Sequence, residues 1–267
     1  MPTQPPIVIE EDNLSYAWGK VFLKVMEGQS APPILISITD FKDGMPREST
    51  AIRRAVDETL TKSNKHNSSV SAQTIFPHDH WTKNKKYGRQ NLFEWYITEF
   101  LPRLKARDRL NAYGTYFERM ICFTGIKGAG GNIKLHIINQ LDHIINVWCR
   151  DRERSTHSRE SALQVSCFDP AKDHTGQPVR GFPCLQQVSF SYDKDDNLAV
   201  CGYYPTQYIF DRAYGNYMGL CYLGRFMAEE MGMRLVRMNC FIQQPKLGSA
   251  SKSYLQALKD VVLEELK

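Results

Sequence analysis

Residues 180–231 decide the reading. They run R-G-F-P-C-L-Q-Q-V-S-F-S-Y (180–192), an acidic D-K-D-D-N (193–197), L-A-V-C-G-Y-Y (198–204), P-T-Q-Y-I-F-D-R-A (205–213) and Y-G-N-Y-M-G-L-C-Y-L-G-R-F-M-A-E-E-M (214–231). Gln186, Val188, Phe190 and Tyr192 share one face of an alternating strand, and Leu185, Gln187, Ser189 and Ser191 share the other. The acidic run is a turn signal, so 198–204 is predicted as the returning strand of a hairpin. The spacing predicts a helix over 214–231, and Gly232 is its stop signal. Cys184 follows Pro183 at the mouth of the first strand, where a fixed thiol is a candidate nucleophile. The competing reading is a buried cysteine acting as a small hydrophobe.

Outward from this stretch, 162–168 reads as a strand ended by Asp169-Pro170, and 172–181 as a loop that delivers Cys184. Residues 150–159 form a charged loop. Ile137, Leu141, Ile144 and Trp148 recur at helical spacing, which predicts a helix over 132–148. The glycine-rich 125–131 lacks phosphate-loop spacing and reads as a connection. Residues 91–105 are amphipathic: Leu92, Trp95, Tyr96, Phe100 and Leu101 oppose Glu94, Thr98, Glu99 and Arg103. Earlier still, 1–11 reads as a loose segment ahead of one domain over 12–267. A helix is predicted over 14–27, capped by Asp12 or Asn13, then a buried strand over 34–38 and a helix over 50–60. Residues 62–71 read as a surface loop and 72–76 as a strand. His78-Asp79-His80 could begin a metal site, but no matching third ligand cluster follows, so a polar loop and no metal are expected.

The bulk composition narrows the classes. At 267 residues, 42% hydrophobic and 24% charged, the chain suits an ordinary globular protein. No run reaches the roughly 18 apolar residues of a membrane span, and no secretory signal is visible. Seven cysteines without paired spacing argue against a disulfide framework and for a reducing, cytoplasmic setting. A net charge of +5 suits an anionic small molecule. The single basic cluster at 105–109, without a recognition motif, argues against nucleic-acid binding.

The order proline–cysteine, strand, acidic turn, strand, polar loop, then an asparagine opening an apolar helix resembles the thymidylate synthase and pyrimidine hydroxymethylase superfamily. The form Pro183-Cys184-Leu185-Gln186 looks like its divergent branch. The likeness is strongest over 113–232, weaker over 12–112 and absent after about 235. It implies an α+β fold, a large mixed sheet with long helices packed on one face, and a homodimer built on the open face. It also implies a pyrimidine nucleotide substrate, a methyl- or hydroxymethyltransferase acting at C5, and 5,10-methylenetetrahydrofolate as donor. Cys184 would add to C6, making C5 nucleophilic. Tyr113, of the Tyr113-Gly114 pair, and Glu94 or Glu99 would manage protons. Asn216 would read the base, favouring uracil, although an asparagine there also reads as a helix cap. Gln186, Arg159 and Asp211 complete the expected substrate contacts, Arg159 serving the partner subunit.

The chain departs from the pattern where phosphate is gripped. The family's arginine–serine pair is replaced by Pro205-Thr206, and its following aspartate by Tyr208. Asp211 and Arg212 could substitute only in a rebuilt loop. No histidine occurs in 239–250, and the folate-closing tail has no counterpart. A catalytically degenerate nucleotide-binding or protein-interaction module on the same fold is therefore the alternative function.

Overall fold

The computed structural model describes residues 5–28, 31–107, 114–127, 134–156, 158–174, 176 and 184–267. The chain opens with β1 (Ile7–Glu11), α1 (Leu14–Glu27) and β2 (Ile34–Ile38), then a small hairpin of β3 (Phe41–Lys42) and β4 (Met45–Pro46). Helices α2 (Thr50–Lys62), α3 (Ser68–Ile75), α4 (His78–Asn84), α5 (Gly88–Trp95) and α6 (Leu101–Arg107) follow. After α7 (Tyr116–Ile121) come β5 (Phe123–Lys127), β6 (Lys134–Ile138), α8 (Gln140–Glu153), β7 (Gln164–Ser166) and α9 (Pro170–Asp173). The C-terminal part is β8 (Gln187–Tyr192), β9 (Asn197–Tyr208), α10 (Tyr214–Met231), β10 (Arg234–Lys246) and α11 (Lys252–Glu265).

Six strands make one mixed sheet in the order β1-β2-β10-β9-β8-β7. β8 and β9 form the expected antiparallel hairpin, with Val188 opposite Gly202 and Phe190 opposite Val200. β10 runs parallel to β9, so a crossover must join them, and α10 supplies it. Leu198, Val200, Gly202 and Tyr204 face inward from β9, under α10. Gly232, at φ +68°, ends that helix as its stop signal predicts. Asn13 caps α1 by accepting from the Ser15 and Tyr16 amides. The large mixed sheet of an α+β protein is thus present. Its other face is only half covered: Val8, Leu35, Phe241 and Tyr203 lie in one paired row across four strands, and none is buried.

Several local expectations are corrected. The start is not loose throughout, because Ile7–Glu11 pairs with β2 as an edge strand. Residues 68–75 are helical rather than loop and strand. Asn67 caps α3, and the small residues Ser68, Ser71 and Ala72 let it lie against Gly215 and Gly219 of α10. A Cβ on Gly215 would fall 2.3 Å from the Ser68 carbonyl oxygen. The predicted helix over 132–148 begins only at Gln140, capped by Asn139, and continues to Glu153. Residues 134–138 pair with 123–127 instead, leaving Ile137 72% exposed, so its place in the helical repeat was coincidental. The amphipathic 91–105 lies within α5, a π-helical turn (Tyr96–Phe100) and α6. Pro102 lacks an amide donor, and the ladder next to it widens, Leu101 N–H bonding the Tyr96 carbonyl. His78-Asp79-His80 opens α4, with His78 stacked on Tyr222 and His80 on Trp95.

Candidate functional site

Cys184 is partly buried at the entrance to β8 and packs against the core. The segment behind it is tightly knitted. The Gln186 amide donates to the Tyr203 carbonyl at 3.0 Å, and its carbonyl accepts from Cys167 and Phe168 at 2.8 and 3.1 Å. Arg119 of α7 forks onto Asp173 of α9 at 2.6 and 2.8 Å and bonds the Cys167 carbonyl at 2.8 Å. This clamp fixes the strand that flanks the cysteine.

The first residue of α7 completes the centre. Hydrogen bonding from Tyr116 holds the Cys184 thiol down, and the Leu185 backbone acts in the same way on Tyr116. Two cations act on the same sulfur, Arg212 and the exposed Lys246. Burial pushes the thiol up and outweighs Arg212, the Tyr116 bond and Lys246, all of which pull it down. The free protein therefore holds a neutral thiol at pH 7, beside groups that would stabilise its ionised form.

Arg212 is carried by the turn that follows β9. Ile209–Ala213 is a π-helical turn running directly into α10. The Ile209 carbonyl accepts from the Trp18 indole at 3.0 Å, and the Phe210 amide donates to Leu247 at 2.9 Å. Asp211 is drawn aside, accepting from Lys65 at 2.9 Å and the Ser249 amide at 3.2 Å. Arg212 is left half-buried with a weak bond to Ser71 Oγ at 3.4 Å, and no carboxylate pairs with it among the described residues. An uncompensated guanidinium of this kind suits an anionic ligand.

The residues expected from sequence divide accordingly. Cys184 and Gln186 lie in this centre. Asn216 is a buried amide one turn beyond Arg212. It does not cap the helix, because the π-helical turn already precedes α10. Tyr113 lies outside the described residues, and Tyr116 occupies the hydroxyl position at the thiol. Glu94 is exposed on α5. Asp211 is engaged in holding the C-terminal loop through Lys65 and the Ser249 amide. Arg159 is exposed at the other end of β8, where Phe190 bonds the Leu163 carbonyl and Tyr192 the Ser158 carbonyl. It therefore lies away from Cys184. An open cavity of about 890 Å³ at that end is lined by Trp148, Arg152, Glu160 and Tyr192.

Sequence reasoning passed over Tyr116 and Lys246. The only signal for Tyr116 was a second tyrosine three residues after Tyr113. These features define an α+β protein with a thiol–hydroxyl–guanidinium centre at a strand mouth. No family model matches the chain, and no curated protein matches it.

Proposed function

We propose that the protein is a divergent thymidylate synthase-like pyrimidine C5 transferase in which Cys184 is the nucleophile. The observation that carries this reading is the half-buried Arg212, which has no carboxylate partner among the described residues and acts together with Tyr116 on the Cys184 thiol. Once its proton is lost, the sulfur adds to C6 of the ring. The C5=C6 electron pair moves into the enolate of the adjacent carbonyl, which Tyr116 and Arg212 cannot reach unless the ring lies over the thiol. C5 then attacks the carbon of a one-carbon donor at the formaldehyde level, whose double-bond electrons pass to its heteroatom; C5 loses its proton, and elimination breaks the C6–S bond and re-forms the thiolate. Asn216 reads the ring edge, and Arg212 with Lys246 receives the nucleotide's anion in place of the missing arginine–serine pair.

The C-terminal segment is not free to close over the methylenetetrahydrofolate that the resemblance implies. Residues 252–265 are committed to α11, whose Leu255, Leu258 and Val262 are buried against the body of the protein. No step is therefore routed through folate.

Release of tritium from C5 of labelled dUMP, dCMP, UMP and CMP tests the addition step by itself, since reversible addition at C6 suffices to exchange C5. Exchange by the wild type and none by Cys184→Ala is expected. Exchange by the alanine variant rules out the covalent route.

The degenerate binding module is the second reading, favoured by the burial that keeps the thiol neutral. It is supported if nucleotides bind without exchange. A homodimer accompanies either reading. The row Val8–Leu35–Phe241–Tyr203 offers a self-complementary apolar strip, with the last two rings stacked 5.8 Å apart. Phe241→Asp converting a dimer to a monomer in sedimentation supports this, and a wild type that sediments as a monomer refutes it.

A further inference from the structure

We propose that Tyr204 and Gln207 form the inner wall of this site and donate hydrogen bonds to the acceptor edge of a flat, carbonyl-bearing ring. The inference rests on the pyrimidine reading and names how that ring would be selected. Both residues belong to β9 and both are fully buried, at 0% exposure. The Tyr204 hydroxyl and Gln207 Nε2 have no hydrogen-bond partner among the described residues. Buried polar atoms are nearly always satisfied, and an orphaned donor destabilises the fold.

The arrangement is oriented. Tyr217 donates its hydroxyl to Gln207 Oε1 at 3.3 Å, which fixes the amide and leaves Nε2, a pure donor, turned the other way. Tyr204 lies within electrostatic range of Tyr217 and of Tyr116, which acts on the thiol in turn. The Gln186 amide bonds the Tyr203 carbonyl at 3.0 Å, so the orphaned hydroxyl follows directly on the strand position that holds the segment carrying Cys184.

The strand is shaped to bring Gln207 inside. Inward positions on β9 are 198, 200, 202 and 204, after which the next is 207, so the alternation skips a residue. β10 changes phase beside it, with Ile242 and then Pro245 buried. Without that shift Gln207 would face the open side of the sheet. A wall of fixed donors accepts ring carbonyl oxygens and disfavours an amino group at the same place.

The test uses the full chain with dUMP and dCMP as probes, read by thermal shift, and the variants Tyr204→Phe and Gln207→Met. The expected result is a dUMP shift in the wild type that exceeds the dCMP shift and is lost in Gln207→Met. Tyr204→Phe weakens dUMP at least tenfold. Without nucleotide, both variants melt at or above the wild-type temperature, because an orphaned donor has been removed. Equal dUMP shifts in the wild type and both variants overturn the wall and leave the pyrimidine reading intact. Lower melting of both unliganded variants also overturns it, since the two groups would then serve the fold. A wild type shifted by neither nucleotide overturns the pyrimidine reading, and the wall with it.

Discussion

Tyr116, at the start of α7, and Cys184, at the mouth of β8, are coupled: hydrogen bonding from the tyrosine holds the thiol down against the burial that pushes it up. Tyr116 therefore acts on the ionised form. Tyr116→Phe removes an interaction that favours the thiolate, so the Cys184 thiol should rise in that variant. Alkylation of Cys184 by iodoacetamide, followed by peptide mass spectrometry, should slow at least about tenfold at pH 8 and recover at higher pH. An unchanged rate profile would show that the hydroxyl does not control the sulfur.

Arg212 pulls the thiol in the same direction as Tyr116, through charge rather than a bond. Arg212→Gln should raise the thiol further and slow alkylation by about threefold to tenfold at pH 8. In the wild type, added salt should also slow the reaction, and in the variant this salt effect should shrink. A salt response as large in the variant as in the wild type would assign the effect to Lys246 instead.

Gly215 lies where α10 meets α3, with the Ser68 carbonyl 2.3 Å from any added Cβ. Backbone cannot swing aside as a side chain can. Gly215→Ala should cost about 1–3 kcal/mol in chemical denaturation, by forcing the two helices apart. A variant as stable as the wild type would mean that α3 can shift without loss.

The Arg119–Asp173 pair joins α7 to α9, and Asp173 is only 6% exposed. Truncating one partner of a buried pair leaves an uncompensated charge, at a cost of about 3–5 kcal/mol. Arg119→Ala should be destabilised by roughly that amount. Arg119→Met with Asp173→Leu should recover part of the loss. Denaturant midpoints for the two proteins decide the matter.

His78 is held below its ordinary range, chiefly by burial and then by Arg225. Its folded pKa is lower than its unfolded one, so the unfolded chain binds more protons in the window between them. Stability from this group is complete above the unfolded value, about 6.5, and is lost as pH falls through the folded value. His80 shifts in the same direction, also through burial. The melting temperature should fall on acidification below about pH 6.5, less steeply in His78→Gln. Identical slopes would exclude His78 as a source.

The hairpin and α10 were legible because their signals are local. Val188 and Phe190 alternate, 193–197 turns the chain, and Gly232 closes the helix. Residues 68–75 were not legible, since S-S-V-S-A-Q-T is polar by composition. Its helix exists because Gly215 and Gly219, far along the chain, admit small side chains at close range. The strand over 134–138 was hidden by an isoleucine that happens to extend a helical repeat. Order alone placed Cys184 at the mouth of β8 and Asn216 in the first turn of α10. Tyr116 could not be separated from Tyr113, and Arg212 depended on a turn whose geometry no propensity foretells. Asp211 and Arg212 are adjacent, yet one anchors the C-terminal loop and the other attends the sulfur.

The widened turn at Ile209–Ala213 holds one residue more than an α-helical turn of the same ladder would. Each residue in a helix advances the side chains by about 100°. Deleting one position here would swing the guanidinium off its bearing while α10 kept its place on the sheet. Ancestry of this centre would then be traced better through gaps in the chain than through exchanges of one side chain for another.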